Sequence, residues 1–224
     1  MKQFTLSTAL VLAAAAIAAA ETAQERLATS AEVFQEVMGT PDKGIPQDLL
    51  GKAQCVIIVP GLKKGAVLVG GQYGRGFAEC RKGDGFGWGP PAAVKVEGGS
   101  VGFQIGGSST DVVMVVMNKR GMQKLLSDKF TLGADASVAA GPVGRTANAA
   151  TDVRMNAEIL AWSRAKGVFV GISLNGATLR PDVDVNEELY GRKIGNKEVL
   201  SGAVEPPAAA AALRTELDKY SMRK

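Results

Sequence analysis

The chain has 224 residues, long enough for one domain, and carries 28 glycines against 5% aromatic residues; that balance points to closely approaching strands and tight turns and away from a helical bundle. With no histidine at a formal charge of +4, Ser-His-Asp and Cys-His catalysis and the common zinc sites are excluded. The mild basic excess favours anionic surfaces, but no basic run, zinc spacing or RNA-binding aromatic signature accompanies it, so nucleic acid is not an expected partner.

In chain order, Lys2, the apolar run Leu10 to Ala20 and the small residues Ala18-Ala19-Ala20 read as a signal peptide over 1–20, removed before Glu21. The run is shorter than the roughly twenty residues of a membrane span. Export to the periplasm or outside is the expectation. Leu27, Ala31, Phe34 and Met38 then follow helical spacing from Thr22 to Met38, ended by Gly39, Thr40 and Pro41. Glu25, Glu32 and Glu36 against Arg26 alone give this amphipathic helix an acidic polar face, suited to packing over a core and repelling anionic headgroups. Pro46, at a helix start, opens a short second helix through Leu49, Leu50 and Ala53.

Strands are expected at Val56 to Val59, Ala66 to Val69, Tyr73 to Glu79, Ala92 to Val96 and Val101 to Ile105, with breaks at Gly61 and Gly70-Gly71, as successive antiparallel hairpins. Cys55 and Cys80 flank two of them. In an oxidising compartment they are expected to form one disulfide between neighbouring strands, the alternative being two buried thiols. Gly83 to Pro91, rich in glycine and proline, reads as a long loop presenting Phe86 and Trp88. Val112 to Met117 is apolar on both faces and so covered on both sides; a helix over Asn118 to Asp128 follows, with Met122, Leu125 and Leu126 inward. The small-residue tract Ala134 to Gly144 is expected to let two backbones approach closely. Beyond Pro206-Pro207, Ala208 to Tyr220 is a helix whose weak apolar face, Leu213 and Leu217, leaves it packed on the domain or mobile. These elements make an α+β domain, a strand-rich antiparallel sheet or partly closed barrel with an N-terminal amphipathic helix and a few short helices.

Two motif matches dissolve on inspection. Ser163-Arg164-Ala165-Lys166 fits S-x-x-K without its S-D-N and K-T-G companions, so it reads as a structural turn. Asp182-Val183-Asp184-Val185-Asn186 starts like a calcium loop, but Glu187 stands where glycine is required and Lys193 where a bidentate carboxylate is. A helix N-cap at Asn186 is expected instead.

Longer motifs carry a resemblance. Gly99-Ser100-Val101-Gly102-Phe103-Gln104-Ile105-Gly106 with Asp111-Val112-Val113-Met114-Val115-Val116-Met117, then Phe130 to Arg145, then Ser163 to Leu174, resemble the SYLF (Ysc84-type) lipid-binding domain over about Ala23 to Gly191. After the signal peptide read at 1–20, the resemblance implies a SYLF-like domain over 21–195, followed by a proline- and alanine-rich C-terminal segment over 196–224. It implies a non-enzymatic lipid-binding protein with no cofactor and no metal. Phosphoinositide and actin associations belong to eukaryotic members; a periplasm would offer phosphatidylglycerol or cardiolipin.

The candidate lipid-binding residues are cationic or aromatic. Lys63 and Lys64, expected in a turn between strands, would reach lipid phosphates. Arg145 would fork onto a phosphate, with Arg75 and Lys166 adding charge if the fold gathers them. Phe86 and Trp88 would either sit among headgroups or cap the core. The expected partner is an anionic phospholipid membrane surface, with peripheral association; the alternative is a periplasmic structural or protein-interaction module contacting another envelope protein without lipid specificity.

Overall fold

The computed structural model describes residues 21–40, 44–67, 69–83, 85–101, 106–142, 157–169 and 174–221. The expected signal peptide, most of the Val101 to Ile105 strand and the turn ending at Arg145 lie outside those residues.

Helix α1 (Ala23–Met38) starts at a reciprocal cap: the Thr22 hydroxyl accepts from the Glu25 N–H, and the Glu25 carboxylate accepts from the Thr22 N–H at 2.8 Å. Those bonds hold the Glu25 carboxyl below its usual range. Helix α2 (Gln47–Lys52) follows Pro46. Strands β1 (Cys55–Val67) and β2 (Val69–Cys80) form one long antiparallel hairpin, β3 (Ala92–Val101) pairs with β2, and β4 (Gly106–Val116) pairs with the other edge of β1. After α3 (Lys119–Leu125), capped by the Asn118 side chain, come β5 (Phe130–Thr131), β6 (Val138–Ala140), β7 (Ile159–Ala165), β8 (Val168–Phe169) and β9 (Thr178–Pro181). Then follow α4 (Val183–Tyr190), α5 (Asn196–Leu200) and a 3-10 turn at Ala208–Ala210 that runs into α6 (Ala211–Tyr220).

The strands make one sheet in the order β5-β9-β3-β2-β1-β4-β7-β6, with β8 also on β7. Every described pairing is antiparallel except β6 with β7, so the sheet is mixed. Side chains alternate between its two faces. Val56 and Ile58, Phe77, Val113 and Val115, Leu160 and Trp162 enter a core with Leu27, Phe34, Leu50, Leu213 and Leu217 of the helices. Their neighbours Ile57 and Val59, Val112 and Met114, Ile159 and Ala161 enter a second core with Phe130, Leu132 and Leu179. Strands from both ends of the path meet in that second core, so the sheet curls around it as a partly closed barrel while α1, α2, α4 and α6 cover its outer face. Each fully buried large aliphatic or aromatic side chain here contributes about 1.5–3 kcal/mol.

Several expectations are corrected. Gly61 does not end a strand. It lies inside β1 at φ +55, where the register shifts by one residue, and its N–H donates to Asp111 Oδ1 at 2.9 Å; a bulge takes up the left-handed residue without breaking the ladder. Gly70-Gly71 likewise sits within β2, paired to Ala66 and Gly65, so β1 continues to Val67 and β2 starts at Val69. Lys63 and Lys64 are therefore mid-strand residues. In the small-residue tract the close approach is backbone to ring: a Cβ on Gly141 would lie 2.0 Å from the Trp162 ring, whose indole N–H donates to Pro142 O at 3.0 Å. Asn186 is not a cap; the helix cap is Asp182, and Asn186 is buried inside α4, accepting from Ala93 N and donating to Ile194 O and Asn196 Oδ1. Of the two alternatives for the C-terminal segment, packing holds: Leu213 and Leu217 are buried against α1, and Tyr220 meets Phe34 edge-on.

Candidate functional site: a cationic face at the hairpin end

Directly paired residues on neighbouring strands share a face, so the register places side chains in rows. One row runs Lys63, Tyr73, Glu97, Thr178 across β1, β2, β3 and β9; the next runs Arg75, Lys95, Arg180 across β2, β3 and β9. Both rows continue the outer, helix-bearing face, since Arg75 keeps step with Phe77 and Lys95 with Ala93. The helices do not cover this end. Lys63 is exposed and Tyr73 is 46% exposed.

Four cations thus share this face with one tyrosine, against two carboxylates. Arg75 Nε lies 2.8 Å from the buried Asp182 carboxylate, and Arg180 Nε lies 3.8 Å from Glu97. The Arg75 pair anchors β2 to the start of α4, so Arg75 is partly a structural residue. Lys63 and Lys95 supply the charge these pairs do not balance.

Lys64 does not join them. It pairs with Gln72 and Ser108 on the opposite face, and burial pushes its ammonium pKa down. Lys166 occupies the β7–β8 turn at φ +48, exposed, two residues beyond the Asp111–Arg164 pair and hence at the same end of the sheet as Lys63. Of the Ser163 to Lys166 segment, Ser163, Arg164 and Ala165 belong to β7, with Ser163 buried, and Lys166 alone lies in the turn. Arg145 lies outside the described residues.

The two aromatics are at the other end. From Tyr73 to Cys80 is a span of roughly 23 Å along β2, and the loop bearing Phe86 and Trp88 leaves beyond Cys80. Phe86 is 61% exposed. Trp88 takes the core-capping alternative, and its membrane contact is corrected: it is fully buried, its indole N–H donates to Ser221 Oγ at 2.9 Å, and the Arg81 guanidinium lies 4.2 Å from its ring centroid. Beside it Cys55 and Cys80, directly opposed in register, are bonded with sulfurs 2.02 Å apart, the expected disulfide. Glu79, next to Cys80, is buried on the outer face, and burial holds its carboxyl well above the usual range.

Lys95 and Arg180 were not legible as site residues. Lys95 sits in an expected strand, but only the pairing of β3 with a strand more than eighty residues on brings Arg180 beside it.

The Ysc84 sequence profile, described as Las17-binding protein actin regulator, matches residues 97–220. The chain is 39% identical over 172 residues to SH3 domain-containing protein PJ696.02 of Schizosaccharomyces pombe, covering 75% of this chain and 40% of that protein. It is 35% identical over 176 residues to LAS seventeen-binding protein 3 of Saccharomyces cerevisiae, covering 77% and 38%. With the human SH3 domain-containing YSC84-like protein 1 it shares 31% identity over 182 residues, 81% of this chain and 53% of that protein. The chain spans about two-fifths to half the length of these curated relatives. The profile match covers more than half of the sequence and includes β4, β7, β9 and the C-terminal helices, so the chain belongs to the Ysc84 (SYLF) family.

Proposed function

We propose that this chain is a non-enzymatic binding protein that associates peripherally with anionic phospholipid through the bare hairpin end of its sheet. The observation that carries this reading is the gathering of Lys63, Arg75, Lys95 and Arg180 on one face with exposed Tyr73. Each basic residue near an anionic membrane contributes about 1 kcal/mol, so an excess of two charges over Glu97 and Asp182 supplies about 2 kcal/mol. Tyr73 adds an amphipathic ring suited to the headgroup layer. Lys166 extends the charge along the same end. If 1–20 acts as a leader, phosphatidylglycerol and cardiolipin are the lipids within reach in a bacterial envelope.

A second reading follows from the relatives, whose names include LAS seventeen-binding protein: the same face receives an acidic protein segment instead. Flotation of the protein with neutral vesicles, and with vesicles containing phosphatidylglycerol or cardiolipin at low and high salt, separates the two. Flotation with anionic vesicles that salt weakens and Lys63→Glu abolishes is the expected result. No flotation with any vesicle would remove lipid and leave the protein partner.

A further inference from the structure

At the disulfide end, the loop after β2 and the segment between α5 and α6 enclose a cleft of about 360 Å³, a size typical of small-ligand sites. Among the described residues its wall carries three cations, Arg81, Lys82 and Arg214, and one carboxylate, Glu205. Arg81 is anchored: it donates to Leu50 O at 3.1 Å and Ser221 O at 2.6 Å while stacking on Trp88. It contributes fixed charge and shape.

Arg214 differs. Its Nε is shut off from solvent and meets no hydrogen-bond acceptor among the described residues, a costly state for a charged donor. The buried Glu79 carboxyl lies close enough to feel Arg214 electrostatically, yet no ion pair joins them and both Glu79 oxygens also lack partners among the described residues. Burial raises the Glu79 carboxyl against the lowering influence of Arg214, which weakens its offset of the Arg214 charge. Asp218, one turn along α6, is a further carboxylate near this corner among the described residues.

A guanidinium that lines a concave wall together with a lysine, and that has no ion-pair partner among the described residues, is arranged to meet an oxyanion through its Nη groups. We infer that this cleft binds a phosphate group, held by Arg214 and Lys82 against the fixed charge of Arg81. The phosphate belongs either to a soluble ester or to a lipid headgroup. This site stands apart from the sheet face, since Arg81 follows Cys80 at the far end of β2, and it does not rest on the membrane reading.

Calorimetric titration of the whole protein with inorganic pyrophosphate tests it, alongside flotation with phosphatidylglycerol vesicles. Arg214→Gln and Lys82→Gln are each expected to weaken pyrophosphate binding at least about tenfold, with Arg214→Lys recovering part of the loss and Lys63→Glu altering flotation but not pyrophosphate affinity. Thermal unfolding of each variant identifies any that fails to fold, and Lys82→Gln, at an exposed position, keeps the test alive if the Arg214 variants do. Pyrophosphate binding that leaves flotation untouched identifies a soluble phosphate ester; pyrophosphate that displaces the protein from vesicles in an Arg214-dependent way identifies a lipid headgroup. Absence of binding at millimolar pyrophosphate, or binding that Lys63→Glu abolishes and Arg214→Gln and Lys82→Gln do not, would overturn the inference.

Discussion

The hairpin formed by β1 and β2 has two ends built from the same two strands and opposite in character. At the disulfide end, Cys55 is bonded to Cys80, Trp88 is buried beneath Arg81, and Ser221 ties the C-terminal helix down. At the other, Gly65, Gly71, Gly99 and Ser109 leave little side chain to bury, and Lys63 and Tyr73 face outward. Burial here is set by what lies over the strand. The helical layer covers one half of the sheet and turns it into frame; the bare half becomes a presented surface.

If the ends divide labour in this way, damage to one should leave the other's work intact. The largest effect is expected from Trp88→Ala, which deletes a fully buried indole together with its bond to Ser221 and its contact with Arg81. It should cost about 3–5 kcal/mol in urea unfolding, while the fraction still folded floats with anionic vesicles as the parent does. Loss of both properties together would mean that the two ends are one unit. Removing the bridge with Cys55→Ala and Cys80→Ala should cost about 2–4 kcal/mol, since the closed loop spans a separation of 25 residues. Reduced and oxidised parent protein should differ by a similar amount.

Glu79 sharpens the contrast by pH. Its folded-state carboxyl is raised by burial, against the lowering influence of Arg214. The folded chain therefore holds a proton that the unfolded chain releases near the ordinary value of 4.5. Its contribution is fully present below that value and is lost as pH rises toward the raised folded pKa. Glu79→Met should stabilise the protein at neutral pH by about 1–3 kcal/mol, by removing a buried group without hydrogen-bond partners among the described residues, and should flatten this part of the stability–pH curve. A variant less stable than the parent across the whole range would show that Glu79 has a partner in solution.

What the sequence made legible follows the strength of the local signal. The runs Val56 to Val59 and Val112 to Val116 are buried on both faces, and the capped helix α1 has regular spacing, so composition and period were enough. The short strands β5, β6, β8 and β9 have two to four residues each and no period to detect. The face of each lysine was hidden by one residue. Simple alternation from Ile58 would put Lys64 on the outer face, but the bulge shifts the register between Ile58 and Lys63 and exchanges the pair. Asn186 looked like a cap because Asn favours caps; its role as a buried hub depends on Ala93, far back in the chain.

That exchange gives a paired test. Lys63→Glu reverses a charge on the bare face and should weaken binding to anionic vesicles by about 2 kcal/mol, roughly thirtyfold. Lys64→Glu makes the same formal change on the opposite face and should leave vesicle binding within about twofold of what the altered net charge alone produces. Equal losses from the two variants would mean that overall charge, and not this face, drives association.

The smallest effect is expected at Phe86. It is exposed on the same loop that buries Trp88, so Phe86→Ser should change stability by no more than about 0.5 kcal/mol. Its vesicle binding carries the information. A membrane held by the hairpin end lies roughly 23 Å or more from this loop, and the serine variant should then float as the parent does. If Phe86→Ser instead removes salt-resistant flotation, the disulfide end also meets the bilayer, and the protein lies along the membrane rather than standing on its hairpin.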